Sequence, residues 1–139
     1  MHTGNTRSSL FLIELIIAIL FFSLGSAVCV QAFVKAHTIS TEASDLSFAS
    51  STVSSAASVV KYTDGTLDSL RTYFPLAFQQ DDDVEICYDA TRAACGPQDA
   101  SYTLHIRTDA QDGAETASIW MDSRSGQVLY ELDLRYPSR

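Results

Sequence analysis

The strongest constraint on the fold of this chain is an apolar run of 25 residues, from Leu10 to Val34, that contains a single charge, Glu14. A helix needs roughly 20 mainly apolar residues to cross a bilayer, so the run is long enough to span one. A carboxylate inside hydrocarbon is costly, and where one occurs it usually pairs with another group or marks a functional site. We therefore predict a transmembrane helix over residues 10–34, in which Glu14 meets a cation.

Charges on either side of this run predict its orientation and exclude some partners. Arg7 precedes it, and beyond His37 the chain carries sixteen acidic residues against seven Lys or Arg. A positively charged leading end favours a cytoplasmic N-terminus, with the acidic remainder outside the cell membrane. The predicted binding partner of the apolar helix is the lipid bilayer. The acidic excess argues against binding nucleic acid, which needs a basic face, and against docking on anionic lipid headgroups.

A second helical segment is predicted to follow the apolar run as a stem over residues 35–64. Neither Gly nor Pro occurs between Gly25 and Gly65, so nothing in the sequence breaks a helix there. Apolar residues recur every seven positions, at Ile39, Leu46, Val53, Val60 and Leu67. Eleven of the 21 residues in 38–58 are Ser or Thr, which are mediocre helix formers, so a flexible stalk is the alternative.

Residues 65–139 are predicted to form a small antiparallel β domain. Apolar and polar residues alternate in several segments, and Asp112 with Gly113 is a hairpin signal. Such a sheet has one apolar face, and the apolar stripe of the stem is its obvious cover. The predicted fold class is therefore α+β, a long N-terminal helix packed on a small antiparallel sheet. The predicted strands lie at 84–88, 101–107, 117–122 and 128–136. Their alternation places Leu104 and Ile106 on the apolar face of the second strand, and Val128, Tyr130, Leu132, Leu134 and Tyr136 on that of the last.

The sequence shows no catalytic constellation, and we predict that the protein is not an enzyme and uses no cofactor or metal. The three histidines are far apart, and no nucleophile elbow, phosphate loop or metal-ligand spacing occurs. His105 falls on the polar side of a predicted strand and is interpreted as a surface residue. The acidic run at 81–83 is interpreted as a solvated turn rather than a calcium site.

Two cysteines of the predicted β domain, Cys87 and Cys95, are eight positions apart. In an oxidising compartment this spacing suits a disulfide that closes a small loop. Two free thiols are the alternative.

The start of the apolar run carries a family resemblance. Residues 12–15, Leu-Ile-Glu-Leu, followed by Ile-Ile-Ala-Ile-Leu at 16–20, resemble the processing segment of type IV pilins and of the pseudopilins of type II secretion and competence assemblies. In that family a prepilin peptidase removes a leader that ends in Gly, and a Glu lies four residues after the first mature residue. The resemblance implies that residues 1–9 are a leader and that the mature chain starts at Leu10. Ser9 stands where the family prefers Gly, and Leu10 where it commonly has Phe.

The resemblance also implies a role for Glu14. In the family, the new N-terminal amine, here that of Leu10, meets the buried Glu of a neighbouring subunit. Such a charge-assisted contact is strong in a low dielectric when it is satisfied. The implied function is that of a structural, pilin-like subunit, minor rather than major, of a type IV pilus, a type II secretion apparatus or a competence-type filament. Its partners would be other pilin-like subunits, contacted through the N-terminal helix.

Two other interpretations of the chain remain open. In the first, the protein is a single-pass, membrane-anchored surface module whose sheet binds an unknown ligand. In the second, it is a secreted domain cleaved after Ala27, because the small residues Gly25 and Ser26 precede that point and resemble a signal-peptide cleavage site.

Overall fold

The structure is a computed structural model that describes residues 3–111 and 113–137. Its contacts divide the chain into two compact units, the first ending at Glu42 and the second beginning at Ala43. Asp112, one of the two residues of the predicted hairpin turn, lies outside the described residues.

Helix α1 is the longest element and runs from Thr3 to Tyr62, over 60 residues. It is long and apolar enough to cross a membrane. The helix already includes residues 3–9, which the sequence indicated as a leader or a cytoplasmic tail. From Arg7 to Ser44 every side chain is exposed, so the apolar run makes no intramolecular core of its own.

Hydroxyl groups along the second half of α1 explain how so many Ser and Thr residues fit in a helix. Several of these side chains donate to the backbone carbonyl four residues earlier: Thr38 Oγ1 to Val34 O at 3.0 Å, and Ser55 Oγ to Ser51 O at 2.9 Å. A hydroxyl that is bonded in this way does not compete with the helix for its N–H groups. Beyond Tyr62 the chain leaves the helix, and Gly65 adopts a φ of 71°, in the left-handed region that glycine commonly occupies after the end of a helix.

A short helix, α2 (Leu67–Tyr73), follows. Thr66 caps it, and its hydroxyl accepts the backbone N–H of Ser69 at 3.4 Å. Leu70 is fully buried and anchors α2 to the domain core.

The β domain contains six strands within the described residues: β1 (Phe78–Gln80), β2 (Asp83–Tyr88), β3 (Ala94–Cys95), β4 (Tyr102–Gln111), β5 (Ala114–Ser123) and β6 (Val128–Pro137). They form one antiparallel sheet with the order β1-β2-β4-β5-β6, and β3 pairs with β2. All four predicted strands are present, as β2, β4, β5 and β6. The short strands β1 and β3 were not predicted, because two or three residues are too few to show alternation. A 3-10 turn at Pro97–Asp99 lies between β3 and β4.

One apolar core joins α1 to the sheet, which confirms the predicted α+β fold. The register aligns Ile106 of β4 with Ile119 of β5, and both are buried. The helix contributes mainly small residues to this core, three alanines and two valines. The buried core consists of Ala49, Val53, Ala56, Ala57, Val60, Leu70, Ala77, Val84, Ile86, Leu104, Ile106, Ala117, Ile119, Met121 and Tyr136.

Only part of the predicted stripe of apolar residues at every seventh position is buried. Val53 and Val60 are fully buried in the core, whereas Ile39 and Leu46 are 55% and 49% exposed. The sheet therefore covers the stripe over its later turns and leaves the earlier ones open.

The position of Val128 corrects the predicted apolar face of the last strand. A bulge between Met121 and Asp122 pairs Asp122 with Val128, while Met121 pairs with Tyr130. A shift of this kind moves a side chain to the other face of the sheet, because neighbouring residues alternate. Val128 therefore lies with the polar residues and is 50% exposed.

The burial of α1 side chains in the core predicts that Ala56→Leu destabilises the protein. Ala56 is fully buried, so three added heavy atoms must displace the strands, at a cost of about 1–3 kcal/mol in the free energy of unfolding. Chemical denaturation followed by circular dichroism measures the loss. Ser54→Leu, on the exposed side of the same helix, is the matched control and should change stability little. Equal stability of the two variants would contradict the packing described.

Candidate functional site

Three residues singled out in the sequence, Ser9, Leu10 and Glu14, lie on one stretch of α1. Leu10 and Glu14 are four residues apart and so share a face of the helix. All three are exposed. None of the ion pairs among the described side chains includes Glu14. The arrangement is a carboxylate on an otherwise apolar surface. A cation for it would come from the residues that precede the apolar run or from another molecule.

Cys87 and Cys95 are brought together. They lie directly opposite each other in the antiparallel pairing of β2 with β3. Opposed residues in such a pair have Cα atoms about 4.5–5.5 Å apart, within the range that a disulfide spans. Both are free thiols in this structure, so the disulfide stays a prediction. Burial raises the pKa of the Cys87 thiol, which keeps it protonated and slow to react while it is reduced.

The turn between these cysteines is shaped by Asp89. Its Oδ1 accepts the backbone N–H groups of Thr91 at 2.9 Å and of Ala93 at 3.1 Å. Hydrogen bonds from Thr91, and then from Ala93, lower the pKa of the Asp89 carboxyl. Arg92 within the turn has a φ of 67°, in the left-handed region. Hydrogen bonds to Asp89 therefore hold the shape of the turn, which carries the Arg92 side chain.

Arg92 connects this turn to α1. Its Nη2 donates to Ser44 Oγ at 2.7 Å and to Asp45 Oδ1 at 3.2 Å. The guanidinium also lies over the ring of Phe48, 5.2 Å from its centroid. A cation over an aromatic face adds attraction beyond the ion pair. These contacts bind the β2–β3 turn to the helix.

Tyr102 completes the same cluster from β4. Its hydroxyl donates to Asp45 Oδ1 at 2.7 Å. The bond to Asp45 raises the pKa of Tyr102, because the carboxylate favours the protonated phenol. Phe48 meets the ring of Tyr102 edge-on, with centroids 5.3 Å apart. We call Asp45, Phe48, Arg92 and Tyr102 the helix clasp. Sequence reasoning missed it, because its members are up to 57 positions apart and share no local pattern.

His105 was interpreted as a simple surface residue, and the structure corrects this. Its side chain is only 14% exposed and stacks on Trp120, with ring centroids 4.9 Å apart. Its Nδ1 lies 3.3 Å from Glu85 Oε1, and its Nε2 lies 3.0 Å from Asp122 Oδ2. Its side chain is largely covered because its neighbours on the polar face are large, which alternation alone does not reveal. Within residues 3–111 and 113–137, no group of three His, Cys, Asp or Glu side chains is arranged to hold a metal ion.

The acidic run at 81–83 forms the turn between β1 and β2 and the start of β2. Asp81 has a φ of 52°, as a tight turn requires. Asp83 binds Arg107 through both carboxylate oxygens, at 2.6 and 3.1 Å. Its hydrogen bonds raise the pKa of Arg107. The Asp83 carboxylate thus has a cation from within the chain.

Comparison with known proteins identifies no relative. No family model matches the chain, and neither the curated proteins nor the solved structures that were searched contain a match.

The helix clasp predicts that Tyr102→Phe destabilises the domain. The hydrogen bond to a carboxylate contributes roughly 1.5–3 kcal/mol to the free energy of unfolding. The pKa of Tyr102 is raised in the folded state, so this contribution is fully present below the ordinary tyrosine pKa of 10.0 and is lost as pH rises through the folded value. Denaturation of both proteins at pH 7 and above pH 10 measures the difference, which should shrink at high pH. Tyr73→Phe, at an exposed position, is the control. A difference that does not depend on pH would contradict the hydrogen bond to Asp45.

The opposed cysteines predict a disulfide in protein made in an oxidising compartment. Peptide mapping without reductant should recover the peptides of Cys87 and Cys95 joined, with Cys29 alkylated and unpaired. Alkylation of all three thiols before reduction would refute the disulfide.

Proposed function

We propose that this protein is a membrane-anchored, pilin-like or pseudopilin-like subunit of a type IV pilus, type II secretion or competence-type filament. The observation that carries the proposal is Glu14, a carboxylate on the exposed apolar part of α1. The processing-like segment around it and the small α+β domain after it support the same class.

The chemistry of Glu14 supplies the reason for assembly. A carboxylate in hydrocarbon is costly unless it is paired, and an ammonium group in the same medium has the same need. Cleavage between Ser9 and Leu10 by a prepilin peptidase would create an amine at Leu10. An amine of one subunit bound to Glu14 of the next satisfies both charges and selects one register between neighbouring helices. The apolar side chains around Glu14, such as Ile13 and Ile17, pack on lipid before assembly and on neighbouring helices after it.

A minor role in the filament is proposed because of the processing site. Ser9 replaces the Gly that the family's peptidase prefers, which favours slow cleavage and a subunit used in small numbers. If the leader is retained, Arg7 is the nearest basic side chain in the sequence. It lies seven residues from Glu14, about 10 Å along the helix axis, so a close pair would have to form between two chains. In the cell membrane the N-terminus is cytoplasmic and the acidic domain is outside.

Mass spectrometry of the N-terminus of membrane-extracted protein tests the processing step. A chain that begins with methylated Leu10 supports the proposal. An intact leader indicates instead a membrane-anchored surface module, or an accessory protein that does not enter the filament. A chain that begins at Val28 identifies a secreted domain and overturns the proposal.

Substitution of Glu14 tests the pairing itself. Glu14→Val and Glu14→Gln should both abolish incorporation into filaments, because neither side chain can neutralise an amine, and both should leave membrane insertion intact. Pull-down of sheared filaments and membrane fractionation measure the two properties. Ser23→Val, a change of another polar residue in the same apolar run, is the matched control and should incorporate normally. Normal incorporation of Glu14→Val would rule out the pairing.

A further inference from the structure

Strand β6 leaves one side of its backbone open. It forms an edge of the sheet and is ten residues long, and within the described parts of the chain β5 is the strand it pairs with. An edge strand presents unpaired N–H and C=O groups along its outer side, which is a template for a further strand. The opposite edge differs, because β1 has only three residues.

The apolar core is also incomplete at this edge. Met121, Ile119 and Ala117 of β5 are buried, but the β6 residues opposite them are only half-buried. A strand added beside β6 would cover this row on the helix side of the sheet. The row consists of Tyr130, Leu132 and Leu134.

The charges on the other face of β6 indicate which strand fits. Glu131, Asp133 and Arg135 are all exposed there. When two copies of one strand pair about a two-fold axis normal to the sheet, each side chain meets a residue of the same face. The axis must then pass between one residue and its own copy, and that residue is the centre of the register. Five registers, centred on residues 131, 132, 133, 134 or 135, place the charged segments of the two strands beside each other.

Four of these five registers place like charges opposite each other. Centring on Glu131, Asp133 or Arg135 opposes that residue to its own copy, and centring on Leu132 opposes Glu131 to Asp133. Centring on Leu134 instead opposes Asp133 to Arg135 twice, and it pairs Leu132 with Tyr136 on the helix side. Opposite charges directly across a strand pair stabilise it, and like charges destabilise it.

We propose that β6 is a self-association surface, and that two copies of this chain pair through antiparallel β6 strands with Leu134 at the two-fold axis. The pairing gives the open backbone groups partners and extends the sheet across both copies. Because the two-fold axis uses the same edge of each copy, the assembly closes as a dimer and does not grow. It is therefore separate from the helix contacts at Glu14 proposed for a filament.

Charge reversal on the full chain in detergent micelles tests the dimer, with sedimentation analysis measuring the mass across a range of concentrations. Arg135→Asp opposes two aspartates at both symmetric contacts, so the dissociation constant should rise by roughly tenfold or more. The double variant Asp133→Arg with Arg135→Asp exchanges the two charges and should restore dimerisation. Restoration is the discriminating result, because a foreign partner strand would not be rescued by a swap within this chain.

Glu131→Arg is the matched control for the register. In the proposed pairing Glu131 faces Pro137, so reversal of its charge should leave the dimer intact, whereas centring on Asp133 would make the same change disruptive. The proposal is overturned if the unaltered chain is monomeric at all concentrations, if Arg135→Asp leaves the mass unchanged, or if the swap fails to restore it. A dimer mass that is unchanged in Arg135→Asp would indicate association through α1 instead. Glu14→Val alters that route alone, so the two proposals fail separately.

Discussion

The domain depends on the contact between the small-residue stripe of α1 and the apolar face of the sheet. Neither surface is stable by itself. The stem is rich in Ser and Thr and has little intrinsic tendency to form an isolated helix, and a sheet with one bare apolar face would expose Leu104, Ile106 and Ile119 to water. Burial of one against the other removes both problems. Ala49 and Ala56 are fully buried in this contact, and their small side chains fit the space that the core leaves at these positions.

The apolar contact alone does not fix where α1 lies along the sheet. The helix clasp fixes this position. Hydrogen bonds and ion pairs require particular distances and angles, so Arg92 and Tyr102 can meet Asp45 only when α1 has one position along the sheet. The β2–β3 turn carries Arg92, and the opposed cysteines lie where that turn leaves the sheet. The polar contacts thus select one arrangement among the several that burial alone would permit.

Much of this architecture could be predicted from periodicity, and the exceptions have physical causes. Val53 and Val60 recur at helical spacing and are buried, and Leu104 and Ile106 lie on the predicted side of their strand. Val128 was misplaced because a bulge is invisible to simple alternation. His105 was misjudged because its side chain is covered by Trp120, Glu85 and Asp122 on two other strands. Of the candidate site, the exposure of Glu14 followed from its apolar surroundings, whereas its partner depends on a second molecule, about which one chain's periodicity carries no information.

The order of elements along the chain has a consequence for how the protein is made. Residues 49–60 leave the ribosome well before β4, β5 and β6, which bury them. During synthesis, the apolar stripe of the stem therefore stays uncovered until these strands have been made. The last strands form successive hairpins, which close quickly because their contacts are local. The interval in which the stem is uncovered is set mainly by translation of the roughly eighty residues between the buried part of the stem and the end of β6, at a typical 5–20 residues per second.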